Sequence, residues 1–283
     1  MMTCRALPLA AAILACASPL NAQHWRTLDA SRQLKDSTTG VDVRITYAAG
    51  KLTVRPASGA SALYNMSLRY DAEYGEPVAT WDAASHALHL GVKFLKGSPH
   101  HGDADGGVLH TELSTIPPLQ LSLELGAVAG DLQLGGLRVA GLRLKAGAAD
   151  VSARWDQPNR ERMHALTIDA GAANLTLVQA GNANTDRIDV NLGVGSLDID
   201  LGGVWTREIA MSANVAMGKL VLRLPTDVGI VVDSNALLVD FDKSGFSKRG
   251  TDWYSNNYDS STRKIRLKLH GAMGSVSITR DTK

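Results

Sequence analysis

The sequence is poor in four things, and each shortage closes off a class of chemistry. It has only two cysteines, Cys4 and Cys16, both near the start, so the chain beyond them offers no disulfide and no thiolate for catalysis or metal binding. Aromatic residues make up 5% of the chain, with three phenylalanines in 283 residues, so any core must be built from aliphatic side chains. Neither charge sign is in excess: 29 basic side chains face 28 acidic ones. A nucleic-acid partner is thereby excluded, because phosphate contacts demand a basic face. The short groupings Arg160-Glu161-Arg162 and Lys248-Arg249 read as solvated surface. After residue 22 no stretch approaches the ~18 uninterrupted apolar residues of a membrane helix, so no transmembrane helix is expected.

What is present begins at the N-terminus. Arg5, the apolar run "ALPLAAAILACA", Pro19 and "LNA" form a charged region, a short apolar region and a small residue at a cut site. This predicts an export signal over residues 1–22, cleaved after Ala22. The alternative is the lipobox-like "ILAC" at 13–16, which would make Cys16 a lipidated first residue and a lipid anchor. Either route places the chain outside the cytoplasm, periplasmic or secreted. Removing residues 1–22 takes away one arginine and leaves a formally neutral chain.

The rest of the chain repeats itself. "ITYAAGKLTV" from 45, "LELGAVAGDLQL" from 123, "LKAGAADVSA" from 144 and "IDAGAANLTL" from 168 share one pattern. It continues in "VNLGVGSLDID" from 190, "ANVAMGKLVLRL" from 213 and "LHGAMGSVSI" from 269. Each is an alternating stretch, a Gly/Ala-rich turn, a small polar or charged residue and a second alternating stretch. The residue before the second stretch falls at 131, 150, 174, 196 and 219, giving spacings of 19, 24, 22 and 23 residues. Alternation of Leu, Ile and Val with period two predicts strands with one buried face, and no long i, i+3, i+4 pattern argues for helices.

Across one turn the parity switches: Ile188, Val190 and Leu192 are even, whereas Leu197, Ile199 and Leu201 are odd. A hairpin or a solenoid corner would each bring both apolar sets to a common core. Gly50, Gly130, Gly147, Gly171, Gly193, Gly195, Gly218 and Gly274 read as the structural turns. Units of about 19–24 residues that cannot bury their own faces favour stacking. The predicted fold is an all-β, β-solenoid-like stack of strand–turn–strand units.

Four regions follow the signal. Residues 23–95 form an N-terminal strand region of the β-repeat domain. Residues 96–118, polar and closed by Pro117-Pro118, read as a loop or junction. Residues 119–283 form the main array, with an excursion over 225–264 before a closing strand.

Candidate chemistry is thin. A dinucleotide-binding glycine turn needs a helix after it, and here a strand follows every time. No Gly-x-Ser-x-Gly occurs. His100, His101, Asp103 and Asp105 are usable metal ligands, but their spacing matches no closed site and reads as a solvated loop. Asp198 with Asp200 and Asp240 with Asp242 lie two apart on strands, on the solvent face. No catalytic residue, metal or cofactor is assigned. Phe246, Trp253, Tyr254 and Tyr258 gather in an aromatic-poor chain and read as a cap over the end of the stack or as a partner surface. Trp81, Trp155 and Trp205 read as packing or rim residues.

The repeats together with Gly245-Phe246, Gly250, Tyr254, Ser255 and Tyr258 before a closing glycine-rich strand resemble the toastrack family, the repeat module of LiaF-like cell-envelope proteins. The resemblance runs from about residue 42 to 280. It implies a β-helix-like stack at the cell envelope, used as a binding or sensing module. Family members often carry membrane helices or partner domains in the same chain, whereas this sequence shows only an export signal, and that departure puts a direct role in transmembrane signalling in doubt. The expected function is that of an exported, non-enzymatic binding, adaptor or stress-sensing surface for a protein or envelope component of unknown identity. The rival readings are a self-associating structural or adhesive protein and a carbohydrate-active enzyme on a β-solenoid.

Overall fold

The computed structural model describes residues 24–35, 39–95, 107–205, 207–234 and 239–281. The signal segment with Cys16 and Ala22, and the candidate ligands His100, His101, Asp103 and Asp105, lie outside the described residues. The strands in the first part of the chain are β1 (Trp25–Gln33), β2 (Val41–Pro56), β3 (Ala62–Asp71), β4 (Gly75–Asp82), β5 (Ala87–Phe94) and β6 (Val108–Leu113). The array follows as β7 (Leu119–Gln133), β8 (Val139–Arg154), β9 (Leu166–Val178), β10 (Arg187–Asp200) and β11 (Ile209–Pro225). The chain ends with β12 (Val228–Ser234), β13 (Val239–Phe241), β14 (Phe246–Arg249), β15 (Asp252–Ser255) and β16 (Arg263–Asp281).

Long strands pair side by side in the order β2-β7-β8-β9-β10-β11-β16, all parallel. Parallel pairing settles the choice left open by parity: the chain forms a β-solenoid, and the glycine turns are corners inside continuous strands. Ala173, Gly195, Gly218 and Gly274 share one register position, and a loop returns the chain to the start of each next strand. In β10, Ile188, Val190 and Leu192 before the corner and Leu197 and Ile199 after it are all buried, as is Leu201 just beyond the strand. The two limbs thus face a common core, and each aliphatic side chain taken out of water stabilises it by about 1.5–3 kcal/mol.

Gly195 shows why the corner needs glycine. Its φ of +133° is one that L side chains rarely adopt, and a Cβ there would lie 1.9 Å from the carbonyl oxygen of Ala173 on the neighbouring strand. Gly130 does not belong with the corner glycines. It pairs with Leu52 and Val151 in the second limb, while Val128 occupies the position facing Gly50. The repeat from 123 must therefore be aligned on Ala129, two residues before Asp131, because Ala129 is the residue that pairs with Asp150.

Three segments depart from the sequence expectation. Residues 96–118, read as a loop or junction, contain β6, which pairs in parallel with the second limb of β2 while β5 pairs with its first limb. The 225–264 excursion is part of the stack: β12 pairs with the first limb of β16, and β13 with its second limb. The closing strand β16 inserts between β11 and β12 rather than ending the array. Beyond β12, the short antiparallel β15 and β14 finish the sheet at one end, and β3 and β1 finish it at the other.

Return loops are packed too. Trp155, Met163, Ala180, Ala183 and Trp205 are buried beneath them, and Trp205 Nε1 donates to Leu201 O at 3.1 Å. Asn159 and Asn182 are buried there and bind backbone from neighbouring coils.

Candidate binding surface

One outward position just before the corner carries a polar residue on every long strand. Thr46, Glu124, Lys145, Asp169, Asn191, Asn214 and His270 stand in register across all seven. At a strand spacing of about 4.8 Å this column is roughly 30 Å long. Asn214 Nδ2 donates to Asn191 Oδ1 at 2.7 Å, Asn191 Nδ2 donates to Asp169 Oδ1 at 2.8 Å, and Arg143 donates to Asp169 Oδ2 at 3.1 Å. Each amide is thereby fixed in orientation. Asn191 uses one N–H and one lone pair within the column, which leaves one of each for something else.

Two residues further along, the chain has almost no side chains. Gly126, Gly147, Gly171, Gly193 and Ala216 follow one another from coil to coil, and a Cβ on Gly193 would lie 2.6 Å from Gly171 O on the preceding coil. The dip beside the polar column is a shallow, open depression of about 670 Å³ lined by Asp169, Asn191, Asn214 and His270, among others. A second open depression of about 480 Å³, lined by Thr46, Glu124 and Lys145, shares Asp169 with it. Together they form one groove along the corner. Past the glycines the exposed crest is apolar, with Val194 and Met217 half exposed and neighbours in register.

Gly147, Gly171 and Gly193, read from sequence as structural turns, thus also line this groove. The sequence reading missed the polar column, whose signal is a repeat distance: Asp169, Asn191 and Asn214 lie 22 and 23 residues apart, one coil each.

The aromatic group lies at the other feature singled out from sequence, the end of the stack. Phe246 and Trp253 pack against the core, which is what a cap does. Tyr254 and Tyr258 meet edge to face at 5.0 Å, and burial raises the Tyr258 phenol above its ordinary pKa. Asn257 ties the cap down, donating to Thr226 O at 3.0 Å and Val228 O at 3.1 Å and accepting from Ser255 Oγ at 2.8 Å.

At the opposite end, β1, β3, β6 and β2 present two polar rows. One holds Asp29, Ser67 and His110, with the serine in the middle and no hydrogen bond among the three. A nucleophilic relay needs the histidine between serine and carboxylate. The other row is a closed network: Arg55 Nε and Nη2 donate to Glu112 Oε1 at 3.0 and 2.6 Å, and Asn65 Nδ2 donates to Oε2 at 2.9 Å. The Asn65 hydrogen bond and then Arg55 hold the Glu112 carboxyl below its ordinary pKa. Its contribution to stability is full above the unfolded value of about 4.3 and is lost as the pH falls through the lower folded value. Glu112→Gln should flatten the acid limb of a urea-midpoint profile by less than about 1 kcal/mol, since Arg55 is mostly exposed. An acid limb identical to that of the parent would refute the assignment.

Among the described residues no three His, Cys, Asp or Glu side chains converge on a common metal position. No helix there is long and apolar enough to cross a membrane.

In overall form the chain is similar to two solved structures. One is a "putative cell adhesion protein" from Clostridium sporogenes ATCC 15579, 12% identical, with a TM-score of 0.46 over 90% of this chain and 100% of that one. The other is a "putative adhesin" from Bacteroides fragilis NCTC 9343, 10% identical, with a TM-score of 0.42 over 90% and 96% of the two chains. No curated protein sequence matches this one significantly. The family model described as the N-terminal domain of toast_rack, DUF2154, matches residues 25–178. That match spans more than half of the 283 residues, from β1 to the end of β9, and the chain therefore belongs to the toast_rack family.

Proposed function

We propose that this chain is an exported β-repeat module of the cell envelope that works by binding, as an adaptor or stress-sensing surface, and not by catalysis. The observation that carries the proposal is the corner groove, with its register of fixed polar groups beside a floor of glycine and alanine. Hydrogen-bonding groups already oriented in the free protein lose little freedom when a partner arrives, which favours recognition. The carboxylates on this wall, Glu124 and Asp169, stand two strands apart with Lys145 between them, and Arg143 already engages Asp169. Such a pattern suits holding a partner better than the facing acid pair of glycoside hydrolysis. Membership in the toast_rack family, with the envelope role that the resemblance implies, supports the same reading.

The test is site-specific crosslinking in cells. A photo-reactive side chain at Asn191 or Asn214 should yield one discrete adduct with an envelope component, and the same probe at Thr176, on the outer face of the second limb, should not. Equal adducts from all three positions, or none from the groove, would overturn the proposal.

A further inference from the structure

The end cap gathers lysines around aromatic rings, whereas the cation–ring contacts elsewhere, Arg69 over Trp25, Arg32 over Trp81 and Arg263 over Trp205, are made by arginine. The ammonium groups of Lys243 and Lys248 lie 5.4 and 5.8 Å from the centre of the Trp253 ring, and that of Lys264 lies 4.8 Å from the centre of Tyr258. The segment from Asp242 to Arg266 carries six Lys or Arg against three Asp, in a chain that is otherwise balanced. Its arginines are committed: Arg249 to Asp259, Arg263 to Asp227 and Arg266 to Glu208. Among the described residues Lys243, Lys248 and Lys264 make no close ion pair, although the charge of Lys264 is felt by Asp259, which Arg249 already engages. A ring beneath an ammonium group attracts it electrostatically and holds it in place.

Position adds a second argument. Trp253 and Tyr254 are successive residues of β15 and so point to opposite faces of the β14–β15 ribbon, with Lys248 directly across from Trp253. The amines of Lys243 and Lys248 therefore lie on the Trp253 face of a ribbon that comes last in the sheet order, while that of Lys264, from β16, lies over Tyr258, which meets Tyr254 of the other face. A protein partner would engage one face. Cations on both sides of a tip suit a plane of negative charge met end-on.

We propose that this cap docks the solenoid onto an anionic membrane surface at headgroup depth. Half-buried tryptophan and tyrosine beside lysine match the composition of membrane interfaces, where the outer edge of the ring borders the headgroups and the amine meets lipid phosphate. The outer edge of β14 fixes the depth, because backbone N–H and C=O groups would lack partners in hydrocarbon. This docking uses no part of the corner groove and stands independently of it.

The experiment is co-sedimentation of the mature chain, residues 23–283, which carries neither the apolar export segment nor an acyl chain, with vesicles of phosphatidylcholine alone or mixed with phosphatidylglycerol. Binding should require phosphatidylglycerol and weaken with salt. Replacing Lys243, Lys248 and Lys264 together by glutamine should weaken it about a hundredfold, the effect of three lysines near a charged surface. Replacing the same three by arginine should restore it. The triple variant Lys51→Gln, Lys93→Gln, Lys219→Gln, which removes equal charge from exposed strand positions away from both the cap and the corner groove, should bind like the parent. Equal binding to neutral vesicles overturns the proposal. So does a cap glutamine variant that binds normally, an arginine variant that does not recover, or an array variant that loses as much.

Discussion

Replacing Gly195 by alanine should destabilise the protein by more than about 3 kcal/mol, whereas the same change at Gly130 should cost less than about 1 kcal/mol. The two glycines look alike in sequence, each beside small residues and just before an alternating stretch. In the fold they differ completely. At Gly195 the φ of +133° is unfavourable for alanine, and the new methyl would sit 1.9 Å from Ala173 O. That oxygen is backbone and cannot rotate away, so the two coils would have to part. The strain would not stay local, because Gly195 O in turn lies 1.9 Å from where a Cβ on Gly218 would be. At Gly130 the nearest atom is a Val151 methyl at 3.3 Å, which yields by a small side-chain shift. Equilibrium urea unfolding of both variants decides the matter. Equal losses would refute the assignment of Gly195, and not Gly130, to the corner.

That contrast marks how far the sequence could be read. Period-two alternation identified the strands, and the parity switch between Leu192 and Leu197 identified a corner facing a common core. Pairing direction was not legible there, because a hairpin and a solenoid corner produce the same parity. Only hydrogen bonds to another coil distinguish them. The stretch "GAVAG" offers two glycines, Gly126 and Gly130, and alignment on the second shifted that repeat by two residues. Leu125 and Val128, the inward pair, are what set the register. Strand β6 was hidden for a different reason. Its inward residues are Leu109, Thr111 and Leu113, so a threonine breaks the apolar period at the centre, and its hydroxyl is buried without a partner. Insertion of β16 between β11 and β12 has no local signal at all.

The candidate surface was less legible than the fold, because it runs across the sequence and not along it. Each coil contributes one polar residue to the groove, and no window of the sequence holds two of them. Reading the chain for clusters therefore found His100, His101, Asp103 and Asp105, and missed Asp169, Asn191 and Asn214. The aromatic cap was visible because β14 and β15 are adjacent in sequence. Even there, the placement of Lys243 and Lys264 over the rings depends on the fold.

Asn159 is the other position where a single change should be severe. Its side chain is buried in a return loop and makes four hydrogen bonds to backbone. Nδ2 donates to Val139 O at 2.7 Å and to Ala183 O at 3.0 Å; Oδ1 accepts from Val139 N and Glu161 N, each at 3.1 Å. Val139 and Ala183 are themselves fully buried and belong to different coils, so water cannot readily replace the amide. Asn159→Ala should therefore cost about 3–5 kcal/mol, the range for orphaning several buried polar groups at once. Asn191→Ala, which removes exposed hydrogen bonds in the groove, should cost less than about 1 kcal/mol in the same urea titration. Asn159→Asp separates the two halves of the amide. A carboxylate would still accept from Val139 N and Glu161 N but would face Val139 O and Ala183 O with no proton to donate. Its loss at neutral pH should match or exceed that of alanine and shrink in acid, where the protonated carboxyl regains one donor. An aspartate variant as stable as the parent at neutral pH would show that the donating half of Asn159 does not hold the coils together.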